Sequence, residues 1–312
     1  MAAQAQFPEE QSDTGDFERQ EDAFRSAVDS DPNAVHPAVP GRYHLYVSLA
    51  CPWAHRTLIV RRLKGLEDAV GATVVDPVRG KRGWAFRDGP GHGKDPVNGF
   101  AFLSEAYHAT DPNFQGRVTV PVLWDREAGV IVNNSEDDIC RLFNGVFAPL
   151  GRGSTDLFPR VIEDEHNALA RRIYENVNNG VYRAGFATRQ DAYEKAVRAL
   201  FAMLDELESR LAGRRFLLAD APVEADWRLF CTLVRFDAVY HGHFKCNLRR
   251  ILDYPNLERY LRDLYQWPGI AETVNLDHIK RHYYLTHDDI NPTGIVPLGP
   301  ELHLNEPHVR VS

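Results

Sequence analysis

No stretch of the chain approaches the roughly 20 consecutive apolar residues that cross a bilayer, because charge interrupts the hydrophobic content throughout, so a membrane protein is not expected. A lysine/arginine tract is missing too. The net charge of −8 is spread along the sequence, which argues against a nucleic-acid footprint and leaves only weak electrostatic steering. The first thirty residues are acidic and polar (Pro8-Glu9-Glu10-Gln11, Asp13, Asp16) and lack the basic start and apolar run of a secretory signal. A cytoplasmic protein with a flexible arm over residues 1–38 is the expectation. Cysteine is scarce: Cys51, Cys140, Cys231 and Cys246 lie far apart and form neither a CxxC pair nor a zinc-ligand spacing, so a disulfide scaffold is not expected. The histidines, including His241-Gly242-His243 and His278 with His282, have no companion cysteines at zinc spacings, and no metal is expected. There is no internal repeat and no low-complexity segment. At 312 residues the chain exceeds the usual size of one core, which favours two domains.

What is present centres on Cys51. Tyr43-His44-Leu45-Tyr46-Val47-Ser48 alternates as a strand does, and Ile59, Leu63 and Leu66 then recur at helical spacing. Cys51 stands at the junction, followed by Pro52, a residue favoured at the first helical position because its missing N–H has no partner there. The cysteine is thereby placed at the N-cap, beside unpaired backbone donors that favour an anion. A thiol whose ordinary pKa is about 8.5 falls to roughly 3.5–7.5 in such a place, which makes Cys51 a candidate nucleophile rather than an inert cap. Cys140 and Cys231 sit among apolar neighbours in helical stretches and read as core. With no resolving cysteine nearby, a mixed disulfide on Cys51 needs a second thiol from solution.

The order of elements divides the chain. A second strand is expected over Ala72–Asp76, a third over Thr119–Trp124 and a fourth over Gly129–Val132, with a helix over Asp137–Phe143, giving β-α-β, a long excursion, then β-β-α over residues 39–148. The glycine-rich excursion of residues 77–118 is too long for a simple connection and is a candidate functional loop. Residues 149–159 read as a linker. Beyond them, over 160–312, periodicity is helical: Tyr193, Val197, Leu200, Phe201, Leu204, Leu207 and Leu211 make one stripe, with Thr188 and Asp191 as a capping box and Gly213 as a stop. Further helices are expected over 160–178, 225–240 and 256–266, followed by an aromatic-rich tail.

Pro121 stands inside the third strand's apolar run, where a proline is tolerated at an edge, at a bulge or as a cis bond. Together with the strand–Cys–Pro–helix unit seventy residues earlier, this resembles the thioredoxin-like domain of glutathione transferases. From about residue 40 to 300 the chain further resembles one branch, the Xi-class glutathionyl-hydroquinone reductases. The likeness is carried by Cys51-Pro52-Trp53-Ala54-His55-Arg56, Gly83-Trp84-Ala85-Phe86, Arg117 to Asp125, Asn178-Asn179-Gly180-Val181-Tyr182-Arg183-Ala184-Gly185-Phe186-Ala187, Glu224 to Phe230, and His278 to Tyr284 with Asn291-Pro292-Thr293-Gly294. The resemblance implies an α/β thioredoxin-like domain followed by an all-α helical domain, a homodimer, and a thiol-dependent reductase that strips a glutathionyl group from conjugated hydroquinones through a cysteinyl mixed disulfide. It implies that Cys51 is the nucleophile, that Trp84 packs on the bound thiol, that Arg117 meets a carboxylate of it, and that Val120, ahead of Pro121, offers its backbone N–H and C=O to the cysteinyl part. Tyr182 and one of Tyr283 and Tyr284, with Tyr283 favoured, then hydrogen-bond the quinol oxygens. Local chemistry leaves simpler alternatives: Trp84 as core, Arg117 as a surface ion pair. Asp226 reads as structural, an acid near the start of a core helix, and Val223 cannot complete a reciprocal cap with it.

One departure bears on the cofactor. Where the family's helix after the fourth strand opens with Glu-Ser, this chain has Ser135-Glu136. The exchange moves the charge about 100° around a helix, away from the ammonium of glutathione's γ-glutamyl group. Glutathione and a related low-molecular-weight thiol such as mycothiol both stay open. Rival functions are an ordinary conjugating transferase using Ser or Tyr, a dehydroascorbate or disulfide reductase, and a non-catalytic binding protein on the same fold.

Overall fold

The computed structural model describes residues 8–307, which fall into two compact units. The first comprises residues 21–156 and 272–282; the second comprises 8–20, 157–271 and 283–307. These bounds run differently from the expected 39–148 and 160–312, because segments from both ends of the sequence join each unit. Residues 8–38 illustrate why: composition reads them as a flexible arm, whereas Phe17 and Val28 are buried and their backbone is hydrogen-bonded in both units.

The first unit is built on a four-stranded sheet of order β2-β1-β3-β4, with β1 at Tyr43–Val47, β2 at Val70–Val74, β3 at Val122–Asp125 and β4 at Val130–Asn133. β1 runs parallel to β2 and antiparallel to β3, and β3 is antiparallel to β4. All five residues of β1 are buried, as a central strand covered on both faces requires. The parallel pair is joined by α1 (Pro52–Leu63); α2 (Leu103–Thr110) packs on β4, and α3 (Glu136–Asn144) packs against α1. β4 leaves an edge that residues 24–26 cover: the Ser26 N–H donates to Val132, and the Phe24 and Asn134 backbones are tied by the Asn134 N–H and side chain. Pairing of this kind removes a strand edge open to other chains. The linker region tucks back onto this unit through Lys64, whose Nζ donates to the Thr155 carbonyl at 2.8 Å.

The second unit is helical: α4 (Glu163–Ile173), α5 (Gly180–Gly185), α6 (Gln190–Arg210), α7 (Glu224–Arg235), α8 (Pro255–Tyr265) and the last turn of α9 (Leu276–Thr286). α6 buries the predicted stripe at Val197, Leu200, Phe201, Leu204 and Leu207. Its start differs from expectation. Arg189 is the N-cap and no side chain caps it; Asp191 pairs with the Arg189 guanidinium instead of closing a box with Thr188. α4 and α7 each run on into a π-helical turn, Tyr174–Asn178 and Phe236–Tyr240, where simple periodicity predicts unbroken helix. Asp226 is fully buried and accepts from the Leu217 and Val223 N–H groups and the Tyr260 hydroxyl, the structural part expected of it.

Candidate active site

In the first unit, β1 delivers Cys51 to the N-cap of α1 in extended backbone (φ −77°, ψ 122°), with Pro52 opening the helix. The cap is held by its own backbone: the Cys51 N–H donates to Ser48, and Cys51 accepts from His55. The thiol itself does not cap the helix. Its Sγ points to the Val120 carbonyl at 3.6 Å instead. Val120 is joined to Pro121 by a cis peptide bond, and both residues are buried. Cys51 is half-buried while Cys140, Cys231 and Cys246 are buried, and burial pushes the Cys246 thiol well up from its ordinary range. Of the four, Cys51 is the thiol open to a reactant.

Trp84 follows Gly83, whose positive φ (86°) turns the chain. The indole is buried and stacks on His282 at 5.0 Å, with the Arg79 guanidinium 5.9 Å from its ring; His282 is fixed by a 2.7 Å hydrogen bond to the Pro77 carbonyl. One indole face is thus occupied by protein. Arg117 is half-buried in the segment leading to Val120. Ser135 is the buried N-cap residue of α3, and its N–H donates to Asn133 Oδ1. Glu136 takes the first helical position, largely buried with its side chain 14% exposed, 3.1 Å from the Arg56 guanidinium. Burial pushes its carboxyl up to about 7, with Arg56 working against the shift and Asp137, which also pairs with Arg56, adding to it.

The second unit assembles the tyrosines. The Tyr182 and Tyr283 hydroxyls lie 2.5 Å apart, and that of Tyr283 lies 2.9 Å from Tyr240. Burial raises Tyr240 and Tyr283 well above the usual phenol range, so both are protonated donors at neutral pH, even though the buried Arg235 works in the opposite direction. Tyr284 departs from the cluster: its hydroxyl reaches the Ala238 carbonyl at 3.4 Å and its ring packs on His243. Of the adjacent pair it is therefore Tyr283 that joins Tyr182. Tyr240 is a member that sequence reading missed; it closes a π-helical turn, a distortion common at functional sites, but its apolar neighbours Ala238 and Val239 mark it only as helix core. In the motif Asn178-Asn179, Asn178 donates to the Arg228 carbonyl and the Thr232 hydroxyl, and Asn179 accepts from Arg19. His243 pairs with His287 at 3.2 Å, and His278 pairs with the Pro90 carbonyl.

A cysteine at the N-cap after β1, facing the carbonyl ahead of a cis-proline that leads into an antiparallel third strand, followed by a helical unit, is the arrangement of a glutathione transferase. Residues 50–144 match the model of the glutathione S-transferase N-terminal domain, and residues 190–263 match that of the C-terminal domain. The glutathionyl-hydroquinone reductase PcpF of Sphingobium chlorophenolicum is 50% identical over 289 residues, 93% of this chain and 91% of that protein. The glutathionyl-hydroquinone reductase YqjG of Escherichia coli is 50% identical over 304 residues, 95% of this chain and 92% of that protein. Its glutathione-bound structure superposes with a TM-score of 0.89 over 92% of this chain and 96% of that one. A Xi-class transferase from Natrialba magadii, also 50% identical, superposes with a TM-score of 0.90 over 92% of this chain and 88% of that one. The chain belongs to the glutathionyl-hydroquinone reductases, the Xi class of the glutathione transferase family.

Proposed function

We propose that this protein reductively removes a glutathionyl group from conjugated hydroquinones, with Cys51 as nucleophile. The observation that carries the reading is the half-buried thiol at the N-cap of α1, facing the carbonyl ahead of cis-Pro121, in a chain half identical to two proteins named for that activity. In the first displacement the Cys51 thiolate attacks the sulfur of the conjugate. The carbon–sulfur bond breaks, the aromatic carbon gains a proton, and Cys51 is left in a mixed disulfide with glutathione. A second glutathione thiolate then attacks the glutathionyl sulfur of that disulfide, releasing glutathione disulfide and the Cys51 thiolate. The ring is reduced, and the conjugate's sulfur and the sulfur of the second glutathione are together oxidised to the disulfide, with ping-pong kinetics as the signature.

In this reading Trp84 lies along the bound thiol, Val120 meets its cysteinyl backbone as an added strand does, Arg117 meets a carboxylate, and Ser135 and Glu136 receive its far end. Tyr182 and Tyr283 donate to the quinol oxygens. The glutathione-bound YqjG structure supports glutathione as the thiol. The Ser135-Glu136 order, with its carboxylate turned to Arg56, keeps a thiol lacking the γ-glutamyl group, such as mycothiol, in competition. The protein acts as a cytoplasmic homodimer in this account. The test is intact-mass analysis of Cys51 after exposure to glutathione disulfide and to mycothiol disulfide, with Cys51→Ser in parallel. An adduct confined to wild type, and lost turnover of conjugated quinols in Cys51→Ser, are expected. Retained turnover in Cys51→Ser, or turnover without any adduct, rejects Cys51 as the nucleophile.

A further inference from the structure

The segment of residues 8–20 is built rather than draped. Phe17, 2% exposed, sits 5.3 Å from the Phe186 ring, and Gln11 donates from Nε2 to the Phe186 carbonyl at 3.1 Å. Gly15 (φ +80°) accepts from the Thr188 N–H, at a place where an added Cβ would meet Arg189 at 2.8 Å. These ties lead into Arg19, whose Nε donates to Asn179 Oδ1 at 3.2 Å and whose guanidinium carbon lies 5.0 Å from the Tyr182 ring. At that distance the cation interacts with the ring face.

The hydroxyls of Tyr182, Tyr240 and Tyr283 form a hydrogen-bonded cluster, and two arginines, Arg235 and Arg19, act on it. Arg235, fully buried, donates to the Cys231 carbonyl and acts on the cluster through its field. Arg19 is only half-buried and lies at Tyr182, which at 8% exposed is the outermost of the three rings. His243 and His287 pack on the Tyr283 ring, and desolvation holds His243 neutral. Hydrogen bonds from hydroxyl donors to an anionic oxygen are roughly twice as strong as those to a neutral one, and a nearby cation widens that margin.

We infer that Arg19 is a positioning residue that makes the tyrosine cluster select aromatic rings carrying an ionised phenol, so that the substrate class is the acidic hydroquinones bound as phenolates. The inference rests on the quinol-binding role proposed for Tyr182 and Tyr283. It is tested by equilibrium binding instead of turnover, which keeps its failure separate from that of the Cys51 chemistry. Isothermal titration of the full chain at neutral pH with 2,4-dinitrophenolate and with the neutral 2,4-dinitroanisole compares wild type, Arg19→Lys and Arg19→Gln. Wild type should prefer the phenolate, and Arg19→Gln should weaken phenolate binding by about tenfold with little change for the anisole, while Arg19→Lys restores most of the preference. Equal weakening of both ligands by Arg19→Gln would assign Arg19 a purely structural part. No preference in wild type, or an unchanged preference in Arg19→Gln, overturns the inference outright.

Discussion

Asp226 offers a prediction whose size can be worked from the structure. Its carboxylate takes the Leu217 N–H at 3.0 Å, the Val223 N–H at 2.9 Å and the Tyr260 hydroxyl at 2.8 Å, and Asp226 and Tyr260 are both fully buried. Burial raises its carboxyl to about 6, so at pH 7.5 it is ionised and needs all three donors. Asp226→Ala leaves three donors without an acceptor in a site closed to water, which should cost about 3–5 kcal/mol of stability. Tyr260→Phe alone removes one donor and should cost about 1 kcal/mol. In the double variant the stranded hydroxyl is gone, so the two changes should cost less than their sum, with a coupling of about 1–2 kcal/mol. Urea unfolding at pH 7.5, followed by circular dichroism and compared at constant m, reads all four corners of the cycle. Additivity within about 0.5 kcal/mol would refute the shared-site reasoning. The result matters for function because Asp226 anchors the start of α7, whose continuation presents Tyr240.

Two further outcomes follow from the site. Glu136 has its folded pKa raised to about 7 from 4.5, so the folded state holds an extra proton between those values; stability present below the lower one is lost as pH rises through the upper. Glu136→Gln should therefore gain stability relative to wild type between pH 5 and about 8 in urea titrations, and parallel pH curves for the two proteins would contradict the assigned shift. Tyr182→Phe and Tyr283→Phe should each lower kcat/KM for conjugated quinols by about tenfold to a hundredfold, whereas Tyr284→Phe leaves it within about twofold, since Tyr284 bonds to Ala238 outside the cluster. Steady-state kinetics on one conjugate with all three variants decides this; a Tyr284 effect as large as that of Tyr283 would reverse the assignment.

Sequence by itself determined what short-range sterics and spacing dictate. Cys51 had to stand at the N-cap of α1 because Pro52 can only begin it, Pro121 narrowed its surroundings to an edge, a bulge or a cis bond, and the recurrence from Val197 to Leu207 drew α6 within a few residues of its observed ends. Motif strings in order then brought the family. Tertiary structure alone decided the rest. The meeting of Tyr182, Tyr240 and Tyr283 spans 101 residues and depends on a π-helical turn that no local periodicity encodes. The same is true of the thiol's turn away from its cap toward Val120, 69 residues on, and of the placement of Arg19 beside Asn179, 160 residues away. Composition read residues 8–38 as a loose arm because a few apolar anchors, Phe17 and Val28 among them, are diluted by acidic neighbours. Phe17 finds its partner in Phe186, far away in sequence. Local geometry is written in neighbouring residues, whereas contacts across the chain are fixed by packing, and it is packing that set the donors and charges around the candidate site.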